Sequence, residues 1–271
     1  MSSIMWDGRE LAERYDRISD VQFKSGRQLV EKMRIKKGDR VLDVGCGTGR
    51  LALYVADIVG PSGLVIGIDP SPHRIRVAEP KLKDKKRPNV RFMIGRGEDL
   101  SEFSDESFDH VCYSSVFHWV GDKKAAVEEA YRVLRPGGNV GMTTVDRSHP
   151  FAMQKMMEEI FSRKPYAGRV SFQSEMGMLV DRDELVKRLK TSGFDRICID
   201  HVSETHKYSS AGELFGFIEA SSFGNFLRDI PEELRPRVLE DMKKALETMR
   251  KGNNIELEAN TMFAIAYRPG G

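Results

Sequence analysis

The stretch that decides the fold runs from Arg40 to Arg50 and reads Arg-Val-Leu-Asp-Val-Gly-Cys-Gly-Thr-Gly-Arg. An apolar run of strand-forming residues, 41–44, leads into glycines at every second position. Apolar residues at helical spacing follow as far as Gly60-Pro61. A strand, a glycine turn and a helix in this order open a nucleotide-binding βαβ unit. The glycines predict a tight turn that lets a ligand lie against bare backbone.

A carboxylate just before the glycines narrows the choice of ligand. A dinucleotide places its pyrophosphate at the helix N-terminus, where a neighbouring carboxylate such as Asp43 is unfavourable. Asp43 instead suits a ligand that carries positive charge and no phosphate, such as S-adenosylmethionine with its amino group and sulfonium. The next apolar run, 63–69, ends in Asp69. An acidic residue about 20 positions after the glycines accepts hydrogen bonds from ribose hydroxyls.

Two motifs carry a family resemblance. Val-Leu-Asp-Val-Gly-Cys-Gly-Thr-Gly followed by Ile-Gly-Ile-Asp-Pro-Ser resembles the class I S-adenosylmethionine-dependent methyltransferases. The chain is most similar to the group that includes the ubiquinone/menaquinone, trans-aconitate and malonyl-carrier-protein enzymes, over about residues 15–145. The resemblance implies an α/β fold, a Rossmann-like three-layer sandwich with a mostly parallel seven-stranded sheet, an antiparallel last strand and a small helical cap. It also implies S-adenosyl-L-methionine as cofactor and methyl transfer as the reaction, but it is nearly silent on the acceptor.

Length and composition agree with a single α/β unit. The 271 residues carry three cysteines at unrelated spacings and a net charge of +2. Together with the absence of a signal peptide and of a long apolar run, this predicts a cytoplasmic monomer or homodimer without a disulfide framework, a metal-ligand pair, a membrane span or a dominant nucleic-acid field. We divide the chain into an N-terminal helical lid (1–38), a cofactor-binding core (39–147) and a remainder of the same domain (148–271) with the cap helices and the last two strands.

The cofactor residues follow from the resemblance and from the ends of the predicted strands. A helix predicted over 4–33 supplies Tyr15 and Gln22, which resemble a segment over the methionine end, although Tyr15 and Trp6 could simply be packing aromatics. Arg96 stands where the family usually has an adenine-binding aspartate, and arginine has no acceptor. Glu98 could replace that acceptor, or Arg96 could stack on the adenine ring. The full predicted set is Tyr15, Gln22, Asp43, Gly45, Cys46, Gly47, Thr48, Gly49, Asp69, Pro70, Ser71, Arg96, Gly97, Glu98, Ser114, Ser115 and Val116.

The acceptor site is predicted beyond the fourth strand, 107–113, because ligands of open parallel sheets bind outside the carboxyl ends of the strands. Phe117, His118 and Trp119 follow that strand, and Arg147 and His149 follow the fifth strand, predicted over 139–146. These five residues form the predicted substrate-binding set. His118 is the candidate general base, with Tyr15 as a possible partner across the pocket. The alternative is that His118 and Trp119 only pack against the following helix, and a carboxylate acceptor would need no base.

Three functions remain open at this stage. The first is methyl transfer to a small molecule, which a helical cap after the fifth strand could enclose. The second is methyl transfer to a protein side chain or RNA, which the basic run over 81–87 would assist, although no Asn-Pro-Pro-Tyr-type motif is present. The third is a non-catalytic S-adenosylmethionine-binding protein. A methionine-rich helix over 151–161 suits either varied ligands or core gaps, and 164–180 is predicted to be an irregular lid.

Overall fold

The computed structural model describes residues 7–85, 87–149, 152–170, 179–222, 227 and 230–270. The described α-helices are α1 (Arg9–Ile18), α2 (Asp20–Met33), α3 (Arg50–Val59), α4 (Pro72–Ala78), α5 (Pro80–Lys85), α6 (Lys123–Val133), α7 (Ala152–Phe161), α8 (Arg182–Thr191), α9 (Ala211–Ser221) and α10 (Arg235–Glu247). The strands are β1 (Arg40–Val44), β2 (Leu64–Asp69), β3 (Val90–Ile94), β4 (Phe108–Ser114), β5 (Leu134–Val145), β6 (Asp195–Tyr208), β7 (Arg250–Lys251) and β8 (Asn254–Tyr267). Short 3₁₀ turns cover Phe117–Trp119 and Glu232–Leu234.

The strands form one mixed sheet in the order β3-β2-β1-β4-β5-β8-β6. The first five positions are parallel, and β8 runs antiparallel to both β5 and β6. This arrangement confirms the predicted Rossmann-like α/β fold with an antiparallel final strand. The sequence reading missed β7, which pairs only with β8 across a tight turn and makes eight described strands where seven were expected.

The order of the strands positions the site. β1 lies between β2 and β4, and the crossovers leave it in opposite directions along the sheet. The carboxyl ends of β1, β2 and β4 therefore flank the switch point at which open α/β sheets bind their ligands. Apolar residues of these strands are buried on both faces, as expected for central parallel strands.

Three buried clusters hold the chain together. One covers the face of the sheet against α6 and α8 and includes Leu42 and Val111. The opposite face packs against α2 and α3 and includes Val41 and Val65. The third cluster lies beyond the sheet and joins α7, α9 and α10 to the far ends of β6 and β8. The cap therefore has an apolar core of its own, built on the 14-residue ribbon formed by β6 and β8.

Several predicted element boundaries were wrong. The helix expected over 4–33 is two helices separated at Ser19. The fifth strand begins at Leu134 instead of Asn139, because the predicted stop at 135–138 hydrogen-bonds to the end of the chain, with Gly137 N–H donating to Arg268 O at 3.0 Å. Pro80 separates α4 from α5 as predicted.

Some predicted features lie wholly or partly outside the described residues. These are Trp6, the first turn of the helix predicted from Phe151, Gly177 with most of the predicted lid (171–178), and the break at Gly224. Within the part of the chain that is described, no helix combines the length and the hydropathy needed to cross a bilayer.

Candidate active site

One cavity of about 340 Å³ opens at the carboxyl ends of the central strands and continues under the cap. The structure brings twelve of the predicted site residues to its walls: Tyr15, Gln22, Gly45, Asp69, Pro70, Arg96, Gly97, Glu98, Ser115, Val116, His118 and Trp119. The other predicted residues lie outside its lining: Asp43, Cys46, Gly47, Thr48, Gly49, Ser71, Ser114, Phe117, Arg147 and His149. Ten of the twelve lie at or just after the ends of β1, β2, β3 and β4, and Tyr15 and Gln22 come from α1 and α2.

The glycine turn wraps over the end of β2. The N–H groups of Gly45 and Cys46 both donate to Ile68 O, at 2.7 and 3.0 Å. Gly45 has a positive φ of 72°, and a Cβ there would lie 2.3 Å from the side chain of Val116. Glycine is thus required at this position by the backbone conformation, which the predicted tight turn implied, and by a protein neighbour, Val116, which the sequence did not indicate.

The side chain of Cys46 also departs from the prediction. Its sulfur faces the core beside Gly67, where an added Cβ would lie 2.9 Å from it. Burial raises the pKa of this thiol well above its usual range. Cys46 is therefore a small apolar packing residue whose backbone alone belongs to the turn.

Asp69 is the most firmly held side chain of the site. Its carboxylate is 2% exposed and accepts from Gly47 N–H at 2.9 Å and from Ser71 N–H at 2.8 Å, one bond to each oxygen. Burial raises the pKa of Asp69, and the guanidinium of Arg74 opposes that effect. Because each carboxylate oxygen has two lone pairs, both can still accept a hydroxyl from a ligand in the cavity.

Among the buried oxygens that lack a partner within the described residues, two bear on the cofactor prediction. They are Asp43 Oδ2, next to the glycine turn, and Gln22 Oε1, on the wall of the cavity. Burial, with a smaller contribution from Asp69, raises the pKa of Asp43 to about 7. The carboxyl group of Asp43 is therefore only partly ionised at neutral pH before a ligand binds, whereas the prediction from the sequence assumed a full negative charge. Orphaned acceptors at this end fit a ligand that brings a positive charge or hydrogen-bond donors.

The N-terminal helices are fastened to the glycine turn. Thr48 Oγ1 donates to Asp16 Oδ1 at 2.6 Å, and Lys81 Nζ pairs with the same carboxylate and donates to Thr48 O at 2.8 Å. Arg50 reaches the junction of α1 and α2, where its Nη2 lies 2.6 Å from Asp20 Oδ1. Thr48 thus ties α1 to the glycine turn, and Lys81 of the predicted basic run is paired within this network.

A buried arginine supports the aromatic side of the cavity. Arg74 lies 4.2 Å over the ring of Tyr15, donates to Ala220 O at 2.8 Å and pairs with Asp7. Ser71 caps α4 as predicted and donates its hydroxyl to Asp7 at 2.5 Å. Burial raises the pKa of Tyr15, so its phenol stays protonated at neutral pH. Its role as a partner of His118 across the pocket stays a prediction. Sequence reasoning missed Arg74 and Asp7, because no local pattern marks them.

The predicted adenine end is built from the loop after β3. Gly97 is buried against Tyr113 and Val44, and a Cβ there would lie 2.9 Å from the tyrosine ring. Glu98 Oε1 already accepts from Gly121 N–H at 2.9 Å, while Arg96 is exposed at the rim. Both side chains line the cavity, so the two alternatives for the missing aspartate stay predictions.

The 3₁₀ turn after β4 places Phe117 and the adjacent His118 in different surroundings. Phe117 is fully buried and packs edge-on against Tyr113, so its predicted contact with substrate is wrong. His118 faces the cavity, with Nδ1 3.4 Å from Thr144 Oγ1 and its ring 5.1 Å from Trp119. Burial, followed by the charge of Lys123, lowers the pKa of His118 to about 4. The imidazole is therefore neutral at pH 7, and a pH profile centred on 6.5 is not expected.

The two candidates after β5 do not reach the cavity. Asp146 pairs with Val180 in an isolated bridge, which turns the chain away from the strand ends. Arg147 pairs with Asp181 at 2.5 Å, and His149 pairs with Asp146 at 3.0 Å. The structure therefore does not bring these two predicted substrate-binding residues to the cavity wall.

Most of the deep cavity comes from residues that the sequence did not single out. The residues share an apolar character and belong to α7, α9 and the β6–β8 ribbon: Met153, Met157, Tyr208, Leu214, Phe217, Ile218 and Leu257. Gln154, His206 and Glu258 add polar groups to the same walls. Among these residues the sequence indicated only those of the methionine-rich helix, because contact with varied ligands was one of the two roles considered for it.

Comparisons with known proteins agree with this geometry. A family model described as methyltransferase domain matches residues 35–206. The chain is 29% identical over 202 residues to a demethylmenaquinone methyltransferase of Geobacillus sp. (strain WCH70), covering 68% of this chain and 85% of that one. It is 34% identical over 146 residues to a demethylmenaquinone methyltransferase of Listeria welshimeri, covering 52% of this chain and 61% of the relative.

A solved structure extends the likeness beyond the central strands. Phosphoethanolamine N-methyltransferase 2 of Haemonchus contortus, in complex with S-adenosyl-L-methionine, has a TM-score of 0.58 and 20% identity, covering 91% of this chain and 52% of that chain. The likeness is one of fold. The family match spans well over half of the sequence and includes Asp43 and Asp69. The chain belongs to the methyltransferase-domain family, and it is an S-adenosylmethionine-dependent methyltransferase.

Proposed function

We propose that the methyl acceptor is a small, largely apolar ring compound of the prenylated-quinone class. The observation that carries this proposal is the continuity of the cavity. It runs from Asp69 and Gly97 at the strand ends to an apolar chamber lined by Met157, Leu214 and Phe217. An apolar chamber gains free energy by removing apolar ligand surface from water, about 25 cal/mol per Å².

We assign the cofactor to the strand-end half of the cavity. The free lone pairs of Asp69 would accept from the ribose hydroxyls, and Gly97 would lie against the adenine. Gln22 Oε1 and Asp43 Oδ2, two of the buried oxygens without a partner among the described residues, are suited to the amino group and the positive charge of the methionine portion. When bound, S-adenosylmethionine supplies an activated methyl group on a sulfonium.

His118 is proposed to orient the acceptor at the junction of the two halves. A neutral imidazole can accept a proton or a hydrogen bond from an acceptor hydroxyl, and Thr144 fixes one ring nitrogen. Methyl transfer leaves a neutral thioether, so placement of the acceptor supplies much of the acceleration, up to about 7–11 kcal/mol in favourable cases. Trp119 beside it offers a flat apolar wall to a ring.

We further propose that α1 and α2 act as the lid of the cofactor half. They carry Tyr15 and Gln22 to the cavity and are held by the contacts of Asp16 with Thr48 and Lys81. The proposal includes the division of the chain into the lid (1–38), the cofactor-binding core (39–147) and the remainder of the domain (148–271). It also includes a cytoplasmic location and a monomeric or homodimeric state.

The relatives support the acceptor class. Demethylmenaquinone, which gives the relatives named above their name, has a naphthoquinone ring and a polyprenyl tail, both of which suit an apolar chamber. A protein or RNA acceptor receives less support from the described residues. Lys81 is committed to Asp16, and Arg87 to Asp57, within the run that was to form a basic contact surface.

A pair of phenylalanines on one helix tests the proposal. Phe217 lines the cavity, whereas Phe215 on the same helix does not and packs beside the third cluster. With 2-prenyl-1,4-naphthohydroquinone as acceptor, Phe217→Ser should raise KM roughly tenfold, since each 1.4 kcal/mol of lost contact is a factor of ten. Phe215→Ser should leave KM near wild type, and both variants should bind S-adenosylmethionine normally. Equal KM values in both variants would contradict the assignment of the chamber to the acceptor.

A further inference from the structure

We propose that Asp146, His149 and His201 form a site for one divalent transition-metal ion, with Zn²⁺ as its most suitable occupant. The site lies outside the cavity and is independent of the methyl-transfer reaction. Its three side chains come from the end of β5, from the following turn and from β6, so β8 runs between two of the contributing elements.

The donor atoms converge on one point. Asp146 Oδ2 lies 3.0 Å from His149 Nδ1 and 2.7 Å from His201 Nε2, and all three ligand atoms lie within 4.8 Å of one another. Zinc takes nitrogen ligands at about 2.0–2.1 Å and oxygen ligands at about 2.0–2.2 Å in tetrahedral geometry. Ligand atoms around such an ion are roughly 3.3 Å apart. Small rotations of the exposed histidine rings would therefore bring the three donor atoms to the spacing that the ion requires.

The chemistry of the donors selects the class of metal. Two imidazoles and one carboxylate suit zinc and other first-row ions, whereas Mg²⁺ and Ca²⁺ prefer oxygen ligands alone. The carboxylate is 1% exposed, and its second oxygen accepts from Ser148 N–H at 2.8 Å, which orients it toward the histidines. Such outer-shell bonds are typical of metal sites. Both histidines are exposed, which leaves room for an approaching ion and for water as a further ligand.

Neighbouring charges permit a cation here. The guanidinium of Arg147 is the nearest positive group along the chain, and it is paired with Asp181 at 2.5 Å and with Glu184 at 3.1 Å. Without a metal, one carboxylate oxygen serves as acceptor for both rings. With a metal, each neutral imidazole would place its proton on the other ring nitrogen, and the ion would join the end of β5 to β6.

The test uses the untagged full-length protein after treatment with a chelator. Titration with Co²⁺ should give ligand-field absorption in the visible range at one ion per chain, and calorimetry should give one Zn²⁺ site. His201→Gln should weaken Zn²⁺ binding at least tenfold, and His149→Gln with His201→Gln should abolish the Co²⁺ spectrum. Saturating Zn²⁺ should raise the Tm of the wild type by about 5 °C and leave that of the double variant unchanged.

Two control variants exclude other ligands. Cys198→Ser removes an exposed thiol on the same strand, and His73→Gln removes a histidine on α4, so both should retain the site. Far-ultraviolet circular dichroism checks that each variant is folded. The proposal is overturned if the wild type binds neither ion, if the folded double variant binds them as tightly as the wild type, or if Cys198→Ser abolishes binding.

Discussion

Replacement of Asp69 by alanine is the perturbation that the cofactor assignment predicts most sharply. The carboxylate would bind the ribose with oxygens that already hold two backbone N–H groups, at 2.9 and 2.8 Å. A hydrogen bond to a charged group contributes about 1.5–3 kcal/mol. Loss of even one ribose bond should therefore weaken S-adenosylmethionine binding roughly 10- to 100-fold, at 1.4 kcal/mol per factor of ten.

The same substitution also affects folding. Asp69→Ala leaves the N–H groups of Gly47 and Ser71 without their buried acceptor, and each unsatisfied group costs about 1–3 kcal/mol. Thermal unfolding without ligand measures this cost. Asp39→Asn provides a matched control, because Asp39 is a buried aspartate at the opposite end of β1 that accepts from Lys36 N–H at 2.8 Å. It should destabilise the chain without changing cofactor affinity.

Isothermal titration calorimetry with S-adenosylhomocysteine and its 2′-deoxy and 3′-deoxy analogues separates direct from indirect effects. The wild type should lose affinity for each deoxy analogue, whereas the Asp69→Ala variant should bind the parent and the analogues almost equally. A folded Asp69→Ala variant that binds the parent within twofold of wild type would refute the ribose assignment. So would a variant that still discriminates against the deoxy analogues.

Three other substitutions test separate parts of the account. His118→Gln should lower kcat and leave S-adenosylmethionine affinity unchanged. Because the pKa of His118 is about 4, wild-type activity should persist to about pH 5 and fall as the pH approaches 4. A step in activity at pH 6.5 would contradict this assignment. The same lowered pKa means that protonation favours the unfolded chain, so wild-type stability should fall from pH 6.5 toward 4 more steeply than that of His118→Gln, as urea unfolding at each pH would show. Asp16→Asn should loosen the lid anchor to Thr48 and speed hydrogen exchange in α1 while the sheet stays protected; unchanged exchange would refute the anchor. Gly45→Ala should cost several kcal/mol more than Gly137→Ala, since both glycines have positive φ but only Gly45 has a side chain within 4 Å of an added Cβ; equal costs in denaturant unfolding would show that the neighbouring valine yields.

The parts of the fold that sequence could predict are those with local causes. The apolar strands, the glycine turn and the capping serine at Ser71 each follow from a few adjacent residues. The carboxylates at Asp43 and Asp69 followed from their distance to the glycines, and both lie at the strand ends as expected. The neutral tendency of Asp43 was not predictable, because it arises from burial against Asp69.

The rest depends on contacts between distant segments. Arg147 and His149 were placed in the pocket on the assumption that β5 ends like β4, but the bridge between Asp146 and Val180 turns the chain aside. Phe117 is one residue from His118, yet a 3₁₀ turn directs it into the core. The apolar chamber combines residues of α7, α9 and the β6–β8 ribbon, and the sequence of no single helix reveals which of its faces meets the cavity.

The central claim is that one cavity holds S-adenosylmethionine and a small apolar acceptor. The most direct measurement is transfer of a radiolabelled methyl group from S-adenosylmethionine by the purified protein in a cell extract, followed by separation into organic-soluble, protein and RNA fractions. We expect label in the organic-soluble fraction with the wild type and its loss with the Asp69→Ala variant. Label confined to protein or RNA, or no transfer by a wild-type protein that binds the cofactor, would contradict it.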